Sequence, residues 1–144
     1  MDDPHVLKRF VDAQRGVYDQ AFSEIVAGRK RTHWMWFVFP QVDGLGSSPT
    51  TKRYAIRSKA EARAYIAHPV LGPRLLEIAQ ALVAVSGRTA HEIFGSPDDA
   101  KLRSCATLFA SVLPPGSVFD QLLAKYFAGV PDEKTLDLLG TSIP

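Results

Sequence analysis

Hydrophobic residues recur at steps of three and four over the first part of the chain, which is the spacing of one face of an α-helix. That face comprises Leu7, Phe10, Val11, Gln14, Tyr18, Ala21, Phe22 and Ile25. Asp3 and Pro4 are suited to open such a helix and Gly28 to end it. Its one polar member, Gln14, needs hydrogen-bond partners if it is buried, so we expect it either to hold a loop or to line a cavity.

From residue 58 onward the chain is dense in signals that start and stop helices. Ser58-Lys-Ala-Glu61 and Thr89-Ala-His-Glu92 both match the capping box. Prolines and glycines separate the hydrophobic runs. Together these signals predict a helix from Ser58 to about His68, a break through Gly72-Pro73 and a second helix that ends at Gly87. A short helix follows from Thr89, and then a helix with Ser96 as cap and Pro97 as first residue that ends at Pro114. The last two predicted helices run from Ser117 to Gly129 and from about Asp132 to Leu139.

Residues 29–57 form the irregular part of the chain. The segment Trp34–Phe39 has the composition of a strand, yet it could equally form one or two turns of helix. No second convincing strand exists to pair with it, so we expect mixed, mostly non-sheet structure. The predicted fold is all-α: residues 1–144 form one compact domain of seven or eight mostly short helices around an aromatic-rich loop.

Bulk composition narrows the class of protein. The chain has 144 residues, 46% of them hydrophobic and 22% charged, which is ordinary for a globular protein. No apolar run is long enough to cross a bilayer, and the polar N-terminal residues are not those of a secretory signal. A single cysteine, Cys105, favours the reducing cytoplasm. The net charge of +2 does not call for a nucleic-acid partner.

The segment from His33 to Gln41 holds both tryptophans and is the strongest candidate for a binding site. Indole and imidazole groups so close together suit stacking on a planar ring, whereas the alternative is that these aromatics only fill the core. We expect His33 and Trp36 to face a cavity with Gln41 at its edge. Trp34 and Tyr54 are further candidate contacts with a ligand.

Positive side chains flank this loop and suggest an anionic ligand. Six of them, Arg29, Lys30, Arg31, Lys52, Arg53 and Arg57, would surround the mouth of a pocket if the loop folds back, although a solvated basic edge after a helix is the simpler reading for the first three. Arg57, Lys101 and Ser104 are the candidates for contacting phosphate or ribose. The run from Gly44 to Ser48 could cradle phosphate, but it matches no nucleotide-binding motif and equally suits a flexible loop.

Other reactive side chains carry weaker signals. Lys101 lies one helical turn before Cys105, which could activate the thiol, but a single cysteine on an apolar face is usually an inert packing group. The four histidines have no metal-ligand spacing, so neither a metal nor another cofactor is expected. If the protein is an enzyme, His33 or Asp99 would carry the proton in the hydrolysis of a glycosidic or phosphoester bond.

Sequence motifs over most of the chain resemble the bacterial family known as domain of unknown function 1810, some of whose members are labelled calpastatin. The matching stretches are Phe10–Gln14, His33–Gln41, Gly44–Gly46, Tyr54–Ile56, Ala64–Gly72 with Arg74-Leu75, Ile93–Gly95, Asp99–Ser104 and Thr107–Phe109. The resemblance implies a small, all-helical, cytoplasmic bacterial protein and no known activity. It does not support a calpastatin, because calpastatins resemble disordered chains and this composition is globular.

A fainter similarity links the chain to the NADAR family, helical enzymes that resemble N-glycosidases acting on ADP-ribose-type substrates. It rests on the tryptophan-containing loop, the helix after Ala64, and Phe94-Gly95 followed by Asp98-Asp99. The acidic residue that follows the tryptophans in that family is absent. The similarity therefore indicates a type of ligand rather than a catalytic mechanism.

Three functional hypotheses follow. The first is a pocket on loop 33–41 that binds a small planar anion of nucleotide type, with a hydrolase or N-glycosidase as its enzymatic form. The second is a non-enzymatic interaction protein whose aromatic loop is structural or forms an exposed docking patch. The third is binding of single-stranded nucleic acid. The sequence does not determine the oligomeric state.

Overall fold

The computed structural model describes residues 3–140, and within them it contains ten helices. They are α1 (Lys8–Gln14), α2 (Tyr18–Val26), α3 (Met35–Val38), α4 (Pro49–Arg53), α5 (Lys59–Ala67), α6 (Leu71–Ala84), α7 (Ala90–Phe94), α8 (Asp98–Ala110), α9 (Val118–Phe127) and α10 (Glu133–Leu139). The only pairing of strand type in this part of the chain is one parallel bridge between Val42 and Ile56. The predicted all-α class is confirmed, with more helices than the seven or eight expected. No helix among residues 3–140 is long and apolar enough to span a bilayer.

The predicted first helix is divided in two. Gly16 adopts a φ of +73°, a conformation that a helix interior does not contain, and this separates α1 from α2. The apolar spacing continues across the break because both helices turn the same face to the core. The Asp3 carboxylate accepts hydrogen bonds from the backbone N–H groups of Leu7 (2.7 Å) and Lys8 (3.0 Å), but Leu7 holds the cap position of α1, so the predicted opening of the helix at Asp3 and Pro4 is wrong.

The expected break at Gly72-Pro73 is also wrong, since both residues lie inside the first turn of α6. Proline is tolerated there because the first N–H groups of a helix have no partner within the helix. Glycine is required by the close approach of α5: a Cβ on Gly72 would lie 1.9 Å from the backbone oxygen of Ile66. Here the glycine permits close packing and does not end a helix.

Several predicted helix starts are confirmed by their cap hydrogen bonds. Thr89 forms the full capping box with Glu92, and the side chain of Ser117 caps α9. Ser58 caps α5, but the carboxylate of Glu61 accepts the N–H of Arg57 (3.2 Å) and not that of Ser58. In α8 it is Pro97, rather than Ser96, that occupies the cap position, and it makes no side-chain cap bond.

Helix α8 lies at the centre of the fold and packs against α5, α7, α9 and α10. Because it has neighbours on most sides, it buries polar Ser104 and Thr107 together with Leu102, Cys105 and Phe109. A second group, in which α6 packs against α2, α5 and α9, completes the core. This arrangement places the start of α8 beside the aromatic segment, where the candidate site lies.

Candidate functional site

The aromatic segment folds so that its two tryptophans occupy different environments. Residues 35–38 form one short helical turn, α3, and positions 34 and 36 therefore project in roughly opposite directions. Trp34 is completely buried, whereas Trp36 is partly exposed. Gln14 holds this turn in place, because its amide nitrogen donates to the backbone oxygen of Phe37 (2.7 Å) and to the Tyr65 hydroxyl (3.1 Å). Of the two roles expected for Gln14, the structure selects the anchoring of a loop.

Trp34 belongs to the core. Its indole N–H donates to Glu24 (2.9 Å), and its ring packs against Phe39 and Phe94 at centroid distances of 6.1 and 6.5 Å. With no exposed surface, it has no face to offer a ligand. The expectation that Trp34 contacts a ligand is therefore corrected, and the core interpretation of the aromatic loop holds for this residue.

Glu24 is the anchor of the residues that precede α3. Its carboxylate accepts hydrogen bonds from the backbone N–H groups of Arg31 (2.7 Å) and Thr32 (3.0 Å), from the Thr32 hydroxyl (2.6 Å) and from Gln20 (2.9 Å). Burial raises the pKa of this carboxyl, but the hydrogen bonds from Thr32, Arg31 and Gln20 outweigh that effect and lower the pKa to about 2. Glu24 is thus a buried anion stabilised by hydrogen-bond donors.

A cleft opens on the other side of the aromatic segment. Its walls come from three parts of the chain: residues 41–51, the first two turns of α8, and the start of α10. Its volume is about 300 Å³. The polar side chains that line it include Gln41, Lys101, Ser104, Asp132 and Lys134. We call this space the α8 cleft.

Five of the predicted site residues come together at the α8 cleft or directly behind it. Gln41, Lys101 and Ser104 line the cleft itself. Trp36 and Tyr54 line a small adjoining cavity of about 10 Å³, whose wall also includes Gln41. Lys101 joins the two spaces, since its ammonium nitrogen lies 5.2 Å from the centroid of the Trp36 ring. A cation and an aromatic surface therefore meet at this site.

Ser104 also ties α8 to α10. Its hydroxyl lies 3.1 Å from Asp132 Oδ2 and 3.0 Å from the Thr135 hydroxyl, and the residue is only 3% exposed. The same Asp132 oxygen accepts the N–H and hydroxyl of Thr135 as the cap of α10. These bonds hold the third wall of the cleft, so Ser104 is a structural link as well as a lining residue.

The remaining predicted site residues lie elsewhere. None of His33, Arg57 and Asp99 lines the α8 cleft or the cavity behind it. His33 and Arg57 are exposed, and Asp99 pairs with His91 Nδ1 at 3.2 Å. The two candidate proton carriers, His33 and Asp99, are therefore not brought to the site.

The cations flanking the loop do not surround the mouth of the cleft. None of Arg29, Lys30, Arg31, Lys52, Arg53 and Arg57 is in its lining. Its positive charges come instead from Lys101 and Lys134. Lys134 carried no signal in the sequence, because it is a surface residue of a short helix that only the tertiary packing brings beside residues 41–51.

The environment of Cys105 does not favour thiol chemistry. Cys105 is completely buried, and burial raises the pKa of its thiol well above the ordinary value, so the nucleophilic thiolate is disfavoured. Lys101, one turn earlier, is directed toward Trp36 and Asp98. Within residues 3–140, no three His, Cys, Asp or Glu side chains are placed to hold a metal ion.

Nearly the whole described part of the chain matches one protein family. Residues 4–139 match the family model described as "Protein of unknown function (DUF1810)". The crystal structure of the conserved hypothetical protein Rv1873 from Mycobacterium tuberculosis is similar to this chain, with a TM-score of 0.94 and 54% sequence identity over 96% of this chain and 99% of that one. No curated protein is significantly similar to the sequence.

Proposed function

Because this chain belongs to the DUF1810 family, whose description assigns no function, we propose one from its own geometry: it binds a small anionic ligand of nucleotide type in the α8 cleft. The observation that carries the proposal is the position of Lys101. Lys101 lines the cleft and its ammonium nitrogen lies over the Trp36 ring, 5.2 Å from the ring centroid, so a positive charge and an aromatic ring are adjacent at this site. Nucleotides offer the matching pair, a phosphate and a planar base.

The charges around the cleft support an anion. Its lining contains two lysines, Lys101 and Lys134, against one carboxylate, Asp132. That carboxylate is already occupied, because it accepts hydrogen bonds from Ser104 and Thr135. The formal charges of these three lining side chains sum to +1, and a phosphate there would meet charge-assisted donors.

Unpaired polar groups support a ligand with a hydrogen-bonding edge. Within residues 3–140, three side chains at the site have no hydrogen-bond partner: the Gln41 amide, the Trp36 indole N–H and the Tyr54 hydroxyl. An amide carries both donors and an acceptor, which is what recognition of a nucleobase edge needs. Gln41 is well placed for this task, since it lines both the cleft and the cavity behind it.

The size of the cleft favours a small ligand. A volume of about 300 Å³ lies at the lower end of the range for small-molecule sites. A mononucleotide or one half of a dinucleotide is the appropriate scale. ADP-ribose or NAD would place only part of its surface inside.

Binding alone is proposed, because neither of the two predicted proton carriers lies in the cleft. His33 and Asp99 lie outside it, and Asp132, its one lining carboxylate, serves as the cap of α10. The rival hypothesis of an exposed aromatic docking patch also lacks support. The large hydrophobic side chains that are exposed among residues 3–140 are aliphatic and lie outside residues 33–41: Val6, Val26, Val130 and Leu138.

A thermal-shift titration with AMP, ADP-ribose, NAD and adenosine tests the proposal. A ligand that binds only the folded state raises the unfolding midpoint in proportion to the logarithm of its concentration. We expect the phosphorylated ligands to raise the midpoint more than adenosine does. Lys101→Met should weaken binding by roughly tenfold, since it removes a charge-assisted contact.

Lys59→Met is the matched control. It makes the same change of charge on α5, and Lys59 is not among the residues that line the cleft. It should bind as the wild-type protein does. If none of the four compounds shifts the midpoint at millimolar concentration, or if Lys59→Met weakens binding as much as Lys101→Met, the proposed site is wrong.

A further inference from the structure

We infer that Lys30, whose side chain is buried outside the α8 cleft, sets the affinity of that cleft for anions by compensating the charge of Asp98. The inference rests on the proposed function, because it names a positioning residue for the same site. Lys30 belongs to the basic run Arg29-Lys-Arg31, for which the sequence favoured a solvated edge. Its side chain is only 7% exposed, so that interpretation does not apply to it.

Contacts hold both the backbone N–H and the ammonium group of Lys30. Its backbone N–H donates to the oxygen of Ile93 (2.7 Å), and its ammonium group donates to the oxygen of Thr32 (2.7 Å). The same ammonium lies 3.0 Å from Asp98 Oδ2 and 5.0 Å from the centroid of the Trp34 ring. A lysine side chain held in this way cannot turn into solvent without losing several interactions.

Asp98 stands between two lysines. While its Oδ2 atom meets Lys30, its Oδ1 atom lies 3.4 Å from the ammonium nitrogen of Lys101. The two lysines therefore share the carboxylate: one oxygen pairs with Lys30 on the core side, and the other faces Lys101 in the cleft. The three formal charges of Lys30, Asp98 and Lys101 sum to +1, which leaves one positive charge for a ligand.

Because Lys30 and Lys101 share the Asp98 carboxylate, Lys30 affects how strongly an anion can bind beside Lys101. A ligand phosphate must compete with Asp98 for Lys101 and must also approach the negative charge of Asp98 itself. Lys30 reduces both costs because it compensates that carboxylate from the far side. Without Lys30, Asp98 would hold Lys101 more tightly, and the sum of charges behind the cleft would fall from +1 to 0.

Three variants separate this role from a structural one. Lys30→Met retains the apolar stem over Trp34 and lowers the local charge to 0; Asp98→Asn raises it to +2; the double variant returns it to +1. We expect Lys30→Met to bind AMP about fivefold more weakly and Asp98→Asn about fivefold more tightly, the size of a partly screened ion pair. The double variant should bind within about twofold of the wild-type protein.

Neutral and ligand-free measurements complete the test. Binding of adenosine should be the same in all four proteins, because it carries no charge at the phosphate position. Iodide should quench the Trp36 emission most strongly in Asp98→Asn, less strongly and equally in the wild-type protein and the double variant, and least in Lys30→Met. Uncharged acrylamide should quench all four proteins equally. Trp34 is buried and contributes no quenchable signal.

The outcomes distinguish failure of the proposed ligand from failure of the role inferred for Lys30. If both single variants weaken AMP binding and the double variant is no better, Lys30 and Asp98 are only structural and the inference is wrong. Equal iodide quenching in all four proteins also overturns it, even where AMP binds. If the iodide order holds but the wild-type protein does not bind AMP, the proposed ligand is wrong and the control of anion access by Lys30 stands.

Discussion

The indole N–H of Trp34 donates a 2.9 Å hydrogen bond to the carboxylate of Glu24, and both side chains are buried. The bond joins α2 to the residue that begins the turn of α3. Since the same carboxylate also binds the backbone N–H groups of Arg31 and Thr32, it fixes the path of the chain into the aromatic segment. Trp36, two residues after Trp34, lines the small cavity that adjoins the cleft.

Glu24 should make stability depend on pH under acidic conditions. Its pKa is lowered to about 2 in the folded state, so its stabilising contribution is complete above the ordinary carboxyl pKa and is lost as the pH falls toward 2. We expect Glu24→Gln to cost on the order of 3 kcal/mol at neutral pH and to flatten the acid limb of the stability curve. Urea unfolding at a series of pH values measures both effects.

Glu133→Gln is the control for this prediction. Glu133 is exposed at the first position of α10, and no ion pair or side-chain hydrogen bond holds it among the described residues. Its replacement should change stability by no more than about 0.5 kcal/mol. Equal acid sensitivity in Glu24→Gln and the wild-type protein would show that folding does not lower the pKa of this carboxyl.

The two tryptophans should be separable by fluorescence. In Trp36→Phe the remaining indole is that of buried Trp34, so its emission should be blue-shifted and resistant to acrylamide. In Trp34→Phe the remaining emission comes from partly exposed Trp36 and should be quenched several-fold more strongly. Trp34→Phe should also cost about 2–4 kcal/mol of stability and Trp36→Phe less than about 1. Equal quenching of the two variants would contradict the opposite orientation of the rings.

Gln14 should contribute to stability through its hydrogen bonds. Leucine in its place leaves the Phe37 oxygen and the Tyr65 hydroxyl without their partner, and Arg74 loses its contact with the amide oxygen. We expect Gln14→Leu to destabilise the fold by about 1–3 kcal/mol in chemical unfolding. The same replacement at exposed Gln80 on α6 should be nearly neutral. A neutral Gln14→Leu would mean that the turn of α3 does not need this anchor.

Gly72 should be intolerant of even one methyl group. A Cβ there would meet the backbone of Ile66 at 1.9 Å, which only a shift of α5 against α6 could relieve. We expect Gly72→Ala to cost at least about 3 kcal/mol. Gly46→Ala is the comparison, because its Cβ would meet the Thr51 side chain at 2.7 Å and that side chain can rotate. It should cost less than about 1 kcal/mol, and a larger loss than in Gly72→Ala would reverse the assignment of the close approach.

The sequence predicted much of the fold because the relevant signals are local. Cap residues such as Thr89 and Ser117 act within one turn of helix, so their role can be read from neighbouring residues. The break at Gly16 and the continuous helix through Gly72 were missed for the opposite reason. Glycine permits both a positive φ and a close helix contact, and only the surrounding helices determine which of these occurs.

The features of the candidate site also separate into those that depend on local sequence and those that depend on tertiary packing. Composition alone picked out the aromatic segment, and hydrophobic spacing with cap residues set the all-helical class, because side-chain type and periodicity are properties of the chain itself. Only the packing of α2, α8 and α10 decided which indole turns inward and which lysines reach the cleft. The same packing buried the side chain of Lys30 against Asp98. Contacts between residues some 70 positions apart, such as that of Lys30 with Asp98, leave no periodic trace, since they depend on the angles and separations of helices.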